Sequence, residues 1–247
     1  MRALLPVKKN TRFSFGNRNL WQNSPEALGE STCRTTGYAE LDCVLPGAGW
    51  PTGAVTEIHM QRNDIGELQL ILPVTANLTQ SQRQVYLIAP PYLPNETALS
   101  DSGVKMSSLS ILNDGNLEKQ LEFVKLAILN PQCGAIVWWL DQNNEKLDEK
   151  NIQYIHQVAK DRHISILLFR ASRAAPCEQS TLRLHITRQE GRTQIRVLKR
   201  QGGGFPEPVS LELYKNLLQR KRQRQMPDLL KDFSIDEVSS PTMIRTH

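Results

Sequence analysis

Thr36-Gly-Tyr-Ala-Glu-Leu-Asp42, Leu45-Pro-Gly-Ala-Gly-Trp-Pro-Thr-Gly53 and Val55-Thr-Glu-Ile58 follow one another almost without interruption. Gly47, Gly49 and Gly53 permit tight backbone turns, because a residue without a Cβ reaches conformations closed to the others. Such a run of turns delivers Val55–His59 as the central strand, and Ala54–His59 (AVTEIH) has the β-branched, apolar character of one.

Downstream, a helical pattern runs from about Gly66 to Leu78. Pro73 falls inside it, so a kink or a later helix start is expected. Gln84–Ala89 reads as a second strand, stopped by Pro90 and Pro91, and Ser107–Leu112 as a third. Leu117, Leu121, Val124 and Ile128 repeat at helical spacing within Leu117–Leu129. Ala135–Leu140 (AIVWWL) and Ile164–Phe169 (ISILLF) are continuous apolar strands, with Ile152, Ile155 and Ala159 marking a helix between them. The adjacent Trp138 and Trp139 must point to opposite faces of their strand, which predicts core packing. Trp21 and Trp50 lie in loop-like surroundings, as interface candidates or as caps on the core. After Phe169 the pattern changes: Thr181–Thr187, Thr193–Lys199 and Val209–Leu213 alternate, with a hairpin at Glu190-Gly191. Continuous strands separated by helices predict a mostly parallel central sheet covered by helices, and the alternating strands predict an antiparallel C-terminal extension. The fold class is α/β.

The 247 residues are 39% hydrophobic and 22% charged, an ordinary globular composition that excludes collagen, coiled coil and wholesale disorder. No apolar run approaches the roughly 20 residues of a membrane helix, so no membrane role is expected. Cys33, Cys43, Cys133 and Cys177 are scattered, which argues against a zinc site or a disulfide framework and for a reducing compartment. The net charge of +5 conceals an asymmetry: residues 160–224 carry fifteen Lys or Arg against five Asp or Glu. Such a stretch suits an anionic partner, or simply a solvated surface. Residues 1–30 read as a flexible basic N-terminal arm, 31–213 as the α/β domain, and 214–247 as a basic helix or tail for docking or left disordered.

The run from Thr36 to Ile58 resembles the lead-in to a RecA-type core, in which TGxxxLDxxLxGGGxPxGxxxEI enters the phosphate loop; Ala48 replaces one glycine. The resemblance extends to about Leu213. Within the RecA-like group, Leu20-Trp21, the Pro46–Pro51 turn, Ile65-Gly-Glu-Leu68 and Trp139-Leu140 resemble the translesion-synthesis accessory family ImuA, itself similar to SulA-type division inhibitors. That resemblance implies a RecA-like fold and a non-catalytic accessory role in SOS-induced mutagenic translesion synthesis. The chain would bridge an ImuB-like Y-family protein, RecA and an error-prone replicative-type polymerase subunit, in the bacterial cytoplasm and at the nucleoid when engaged. Two alternatives stand beside it: a SulA-type inhibitor of the tubulin-like division protein, and an atypical RecA-like ATPase.

A working RecA-type ATPase needs G-x-x-x-x-G-K-[ST] after its first strand, for backbone donors, a phosphate-binding Lys and a magnesium-binding hydroxyl. Here the loop runs from His59 to Gly66, and Glu67 and Leu68 take the places of the Lys and the Ser/Thr. A carboxylate repels triphosphate and Leu cannot ligate a hard cation. The second strand ends at Pro90-Pro91 without an acid to orient water, and Asp141, at the place of a metal-binding acid, reads better as a turn cap. No catalytic residue, cofactor or metal is therefore expected. Candidate contacts to DNA phosphate or a partner are Arg170, Arg173 and Arg183 around the place of a DNA-binding loop in RecA, Lys199, Arg200, Gly202 and Gly203 in a glycine-rich turn, and Arg220, Lys221, Arg222 and Arg224 in the tail. Each set reads equally as exposed basic surface. No aromatic stands in Ala171–Gln179, so any single-stranded DNA binding there would be weak and salt-sensitive.

Overall fold

The computed structural model describes residues 33–61, 66–140, 147–202 and 204–213. The arm, the tail with its four candidate cations, Trp21, Asp141 and Gly203 lie outside the described residues. Two short strands, β1 (Cys33–Arg34) and β2 (Trp50–Pro51), pair with each other around the helical turn α1 (Ala39–Asp42). The chain then alternates through β3 (Ala54–Met60), α2 (Glu67–Gln80), β4 (Gln84–Ile88), α3 (Glu96–Asp101), β5 (Leu109–Leu112), α4 (Leu117–Leu129), β6 (Cys133–Trp139), α5 (Glu149–Arg162) and β7 (Ser165–Ala171). It ends in β8 (Leu182–Gln189), β9 (Arg192–Lys199) and β10 (Val209–Leu211). Eight of these strands form one sheet in the order β10-β9-β8-β3-β7-β6-β4-β5. The pairings from β8 to β5 are parallel, and β8–β9 and β9–β10 are antiparallel. This is the α/β architecture expected from the strand patterns, with β3 between two differently built halves.

The two faces of the sheet carry separate cores. Leu70, Ile71, Val74 and Leu78 of α2, with Tyr38, Leu41 and Trp50, pack on one face against Ile58, Trp139, Phe169, Leu184 and Ile195. Val124 and Ile128 of α4, with Ile152, Ile155 and Ala159 of α5, pack on the other against Val55, Trp138, Ile166 and Leu168. Trp138 and Trp139 do face opposite ways: Trp138 donates from Nε1 to Gln120 Oε1 at 2.8 Å, and Trp139 stacks on Phe169 at a 5.0 Å centroid distance. Trp50 is fully buried at 0% exposure, so it closes the core and is no interface side chain.

The lead-in motif has a structural account. Asp42 Oδ1 accepts the Thr36 backbone N–H at 2.8 Å, folding the turn back on itself, while Leu41 and Tyr38 enter the core. A Cβ on Gly49 would stand 2.1 Å from the Arg34 carbonyl oxygen, so only glycine allows β1 and β2 to meet. Helix α2 is continuous across Pro73. Proline supplies no N–H to the carbonyl four residues back, and Tyr38 fills that place, donating its hydroxyl to Gln69 O at 2.7 Å.

Candidate functional site

Helix α2 follows the central strand, the place where open α/β sheets present a helix N-terminus to ligands. Gly66 caps it in the left-handed region at φ 97° and accepts the Leu70 N–H through its carbonyl. This position is covered from outside. A Cβ on Gly66 would come within 2.7 Å of Leu213 Cδ1 and 3.5 Å of Thr193 Oγ1. Strand β10 runs antiparallel to β9 and so ends beside Gly66, where Leu213 is buried in the first core. Glu67 is buried as well, and Leu68 packs half-buried between core clusters. The fourth residue of the expected loop, His59, belongs instead to β3 and to a different cluster.

That cluster is built on Glu57. Register places Glu57 of β3 beside Leu168 of β7 and Arg183 of β8, and His59 beside Arg170 and His185. Glu57 is completely buried at 0% exposure. Its carboxylate accepts from Arg170 Nη1 at 2.8 Å, Arg183 Nε at 2.7 Å and the Cys177 backbone N–H at 3.1 Å, with Ser180 Oγ at 3.4 Å. His59 Nε2 stands 3.1 Å from Oε1 but off the line of a hydrogen bond. Burial alone would push this carboxyl up; His59, Arg183 and Arg170 outweigh it and hold it down at about 2. The buried charge is thus held by two guanidiniums, the arrangement a buried carboxylate requires. The side chains of Arg170 and Arg183 are only 12% and 15% exposed. Arg170 also donates to Ala175 O and Arg183 to Cys177 O, so both pin the crossover 172–181 onto the sheet.

The remaining candidates are dispersed. Arg173 is exposed on the turn that opens the crossover. Lys199, opposite Arg183 in the register, donates to Glu178 O at 2.8 Å. Arg200 donates to Val44 O at 3.0 Å, which ties the turn after β9 to the lead-in segment. Gly202 lies in that turn at φ 69° with open space where a Cβ would stand. The structure therefore brings Arg170 and Arg183 together around a carboxylate that sequence reading passed over. Three further groups were missed beside them. Ser172 Oγ lies 3.1 Å from His185 Nε2, and Arg196 is the cross-strand neighbour of His185. The one available signal was an acid, Glu57, with His59 two residues on, inside a strand that is buried along its whole length.

The chain matches no family model and no curated protein. Among the described residues no helix is long and apolar enough to cross a membrane, and no three His, Cys, Asp or Glu are grouped to hold a metal.

Proposed function

We propose that this protein is a non-catalytic accessory factor on a RecA-type scaffold, with the ImuA-like role of bridging an ImuB-like Y-family protein, RecA and an error-prone polymerase subunit during mutagenic translesion synthesis. The RecA-type scaffold rests on the likeness of residues 36–58, and the accessory role on the likeness of Leu20-Trp21, the Pro46–Pro51 turn, Ile65-Gly-Glu-Leu68 and Trp139-Leu140 to the ImuA family. The observation that supports the absence of turnover is the cover on Gly66. A triphosphate needs the backbone donors at the start of α2, yet Leu213 sits against Gly66 and the next side chain is a buried carboxylate. Restoring charge alone would leave the cover in place.

Isothermal titration with ATP and magnesium tests the site. Neither the wild-type chain nor Glu67→Lys is expected to bind, and hydrolysis by the wild type would overturn the reading. Affinity capture of the tagged chain from mutagen-treated cells of its own source tests the role. Recovery of a Y-family-like protein, RecA or an error-prone polymerase subunit is expected. Recovery of the tubulin-like division protein alone would overturn it.

A further inference from the structure

At the end of the sheet where β4 and β6 begin, three arginines stand without a counter-charge. Arg83 precedes β4 and donates to Pro131 O at 3.4 Å and to Cys133 O, so it lies along the turn between α4 and β6. Gly134 leaves room for it, since a Cβ there would come within 2.8 Å of Arg83 Cβ. Arg162 ends α5 and holds the same turn, donating to Leu129 O at 2.8 Å. Both guanidiniums lie close enough to Cys133 to pull its thiol down against its burial. Arg34 of β1 is half-buried, and burial, then the charge of Arg83, push its guanidinium below the usual range.

Main-chain carbonyls accept hydrogen bonds but neutralise no charge. Among the described residues none of the three arginines pairs with a carboxylate, and the Nε atoms of Arg34 and Arg83 are buried without an acceptor. Asp161, beside Arg162 in sequence, accepts from Gln157 instead, at 3.0 Å. Two leucines stand at the same turn: Leu126 and Leu129, at the end of α4, are 70% and 46% exposed. A bare phosphate would answer the charges and leave the leucines in water. The surface suits a peptide that carries acids and apolar side chains together.

The chain carries such a peptide outside the described residues. Asp228–Val238 (DLLKDFSIDEV) has four Asp or Glu against one Lys, with five apolar side chains among them, whereas residues 214–227 and 239–247 contain no acid. It is also within reach. Leu213 packs against Gly66 at the start of α2, and Arg83 stands just past the end of that helix. The 14 residues of α2 are about 21 Å long. The intervening residues 214–227 can span up to about 46 Å.

We propose that the chain's own segment Asp228–Val238 docks on this patch, its carboxylates against Arg34, Arg83 and Arg162 and its apolar side chains against Leu126 and Leu129. A partner that takes the tail then also uncovers the patch. The proposal stands independently of the accessory role.

The test is hydrogen exchange of the full chain, followed by mass spectrometry of fragments covering 228–238. Their amides are expected to exchange about tenfold slower than in a synthetic peptide of the same sequence, the value for a contact closed nine-tenths of the time. Salt at about 1 M should shrink that difference, because it screens surface charge. Arg34→Glu gives Arg83 a carboxylate of its own and should abolish the slowing, with exchange of β6 unchanged as the check on folding. Asp232→Asn combined with Asp236→Asn, which leaves the described domain untouched, should do the same. Exchange at the synthetic peptide's rate in the wild type would overturn the proposal. So would slowing that survives both variants, which would place the segment elsewhere. Slowing that grows with protein concentration would assign the contact to a second copy and overturn it too.

Discussion

A single hydroxyl illustrates how this chain compensates its own irregularities. Pro73 leaves the Gln69 carbonyl without its helical donor, and Tyr38, more than thirty residues upstream, donates to it at 2.7 Å. Tyr38→Phe should therefore cost about 1–3 kcal/mol, because it strands an acceptor away from water. In a Pro73→Ala background residue 73 regains a backbone N–H directed at Gln69, and the same Tyr38→Phe change should cost at least about 0.5 kcal/mol less. Urea unfolding of the four variants measures this coupling, and strict additivity would show that the hydroxyl does not replace the missing bond. The later start expected at Pro73 does not occur, since α2 is continuous from Glu67 to Gln80, and the same pair accounts for how the helix tolerates the proline. The proline was legible in the sequence, but the residue that repairs its effect lies on another element. Glu57 repeats the lesson: its guanidinium partners lie 113 and 126 residues further along, and only strand register brings them into reach.

Among the elements, those built from continuous apolar runs or strict alternation were legible to within a few residues at their ends. β6 has no charged position to blur the pattern, the centre of β7 from Ile166 to Phe169 is wholly apolar, α4 keeps its spacing throughout, and β8 and β9 alternate between buried and more open positions. What escaped reading was short or depended on distant pairing. α3 is six residues long and set by its cap, Asn95, which accepts the Ala98 N–H at 3.0 Å. β1 and β2 have two residues each and exist only because they find one another. The β8–β9 connection was readable and is also improvable. Glu190 and Gly191 form a two-residue loop with φ of 50° and 76°, and Glu is a poor residue for a left-handed position. Glu190→Asn should stabilise the protein by roughly 0.5–1 kcal/mol, since Asn tolerates that conformation far better. A raised urea midpoint at unchanged slope would show it. No change would mean that the hairpin holds its shape without help from the turn.

At the scale of the whole molecule, two halves meet at β3: a helix-covered parallel sheet on one side and the antiparallel β8–β10 extension on the other. Glu57 joins them, taking one guanidinium from β7, one from β8 and a backbone N–H from the crossover between them. Its folded carboxyl is held at about 2, below the ordinary carboxylate range near 4.3. A depressed carboxyl contributes stability that is complete above the ordinary range and disappears as pH falls through the folded value, so the window lies between roughly pH 4.5 and 2. Glu57→Gln resembles the protonated acid at every pH and leaves two guanidiniums without their counter-charge. At pH 7 it should cost about 3–5 kcal/mol. As pH is lowered below about 4.5, the wild type should lose its advantage and the two proteins should converge, since all other carboxylates are common to both. Hydrogen exchange adds the spatial reading: amides of β8 and of the 172–181 crossover should lose protection in the variant before those of β4 and β6, which supply none of the hydrogen bonds to the Glu57 carboxylate. A stability gap that stays constant from pH 7 to pH 3, or uniform loss of protection across the sheet, would mean that the junction is held by its apolar packing and that the buried charge contributes nothing to joining the halves.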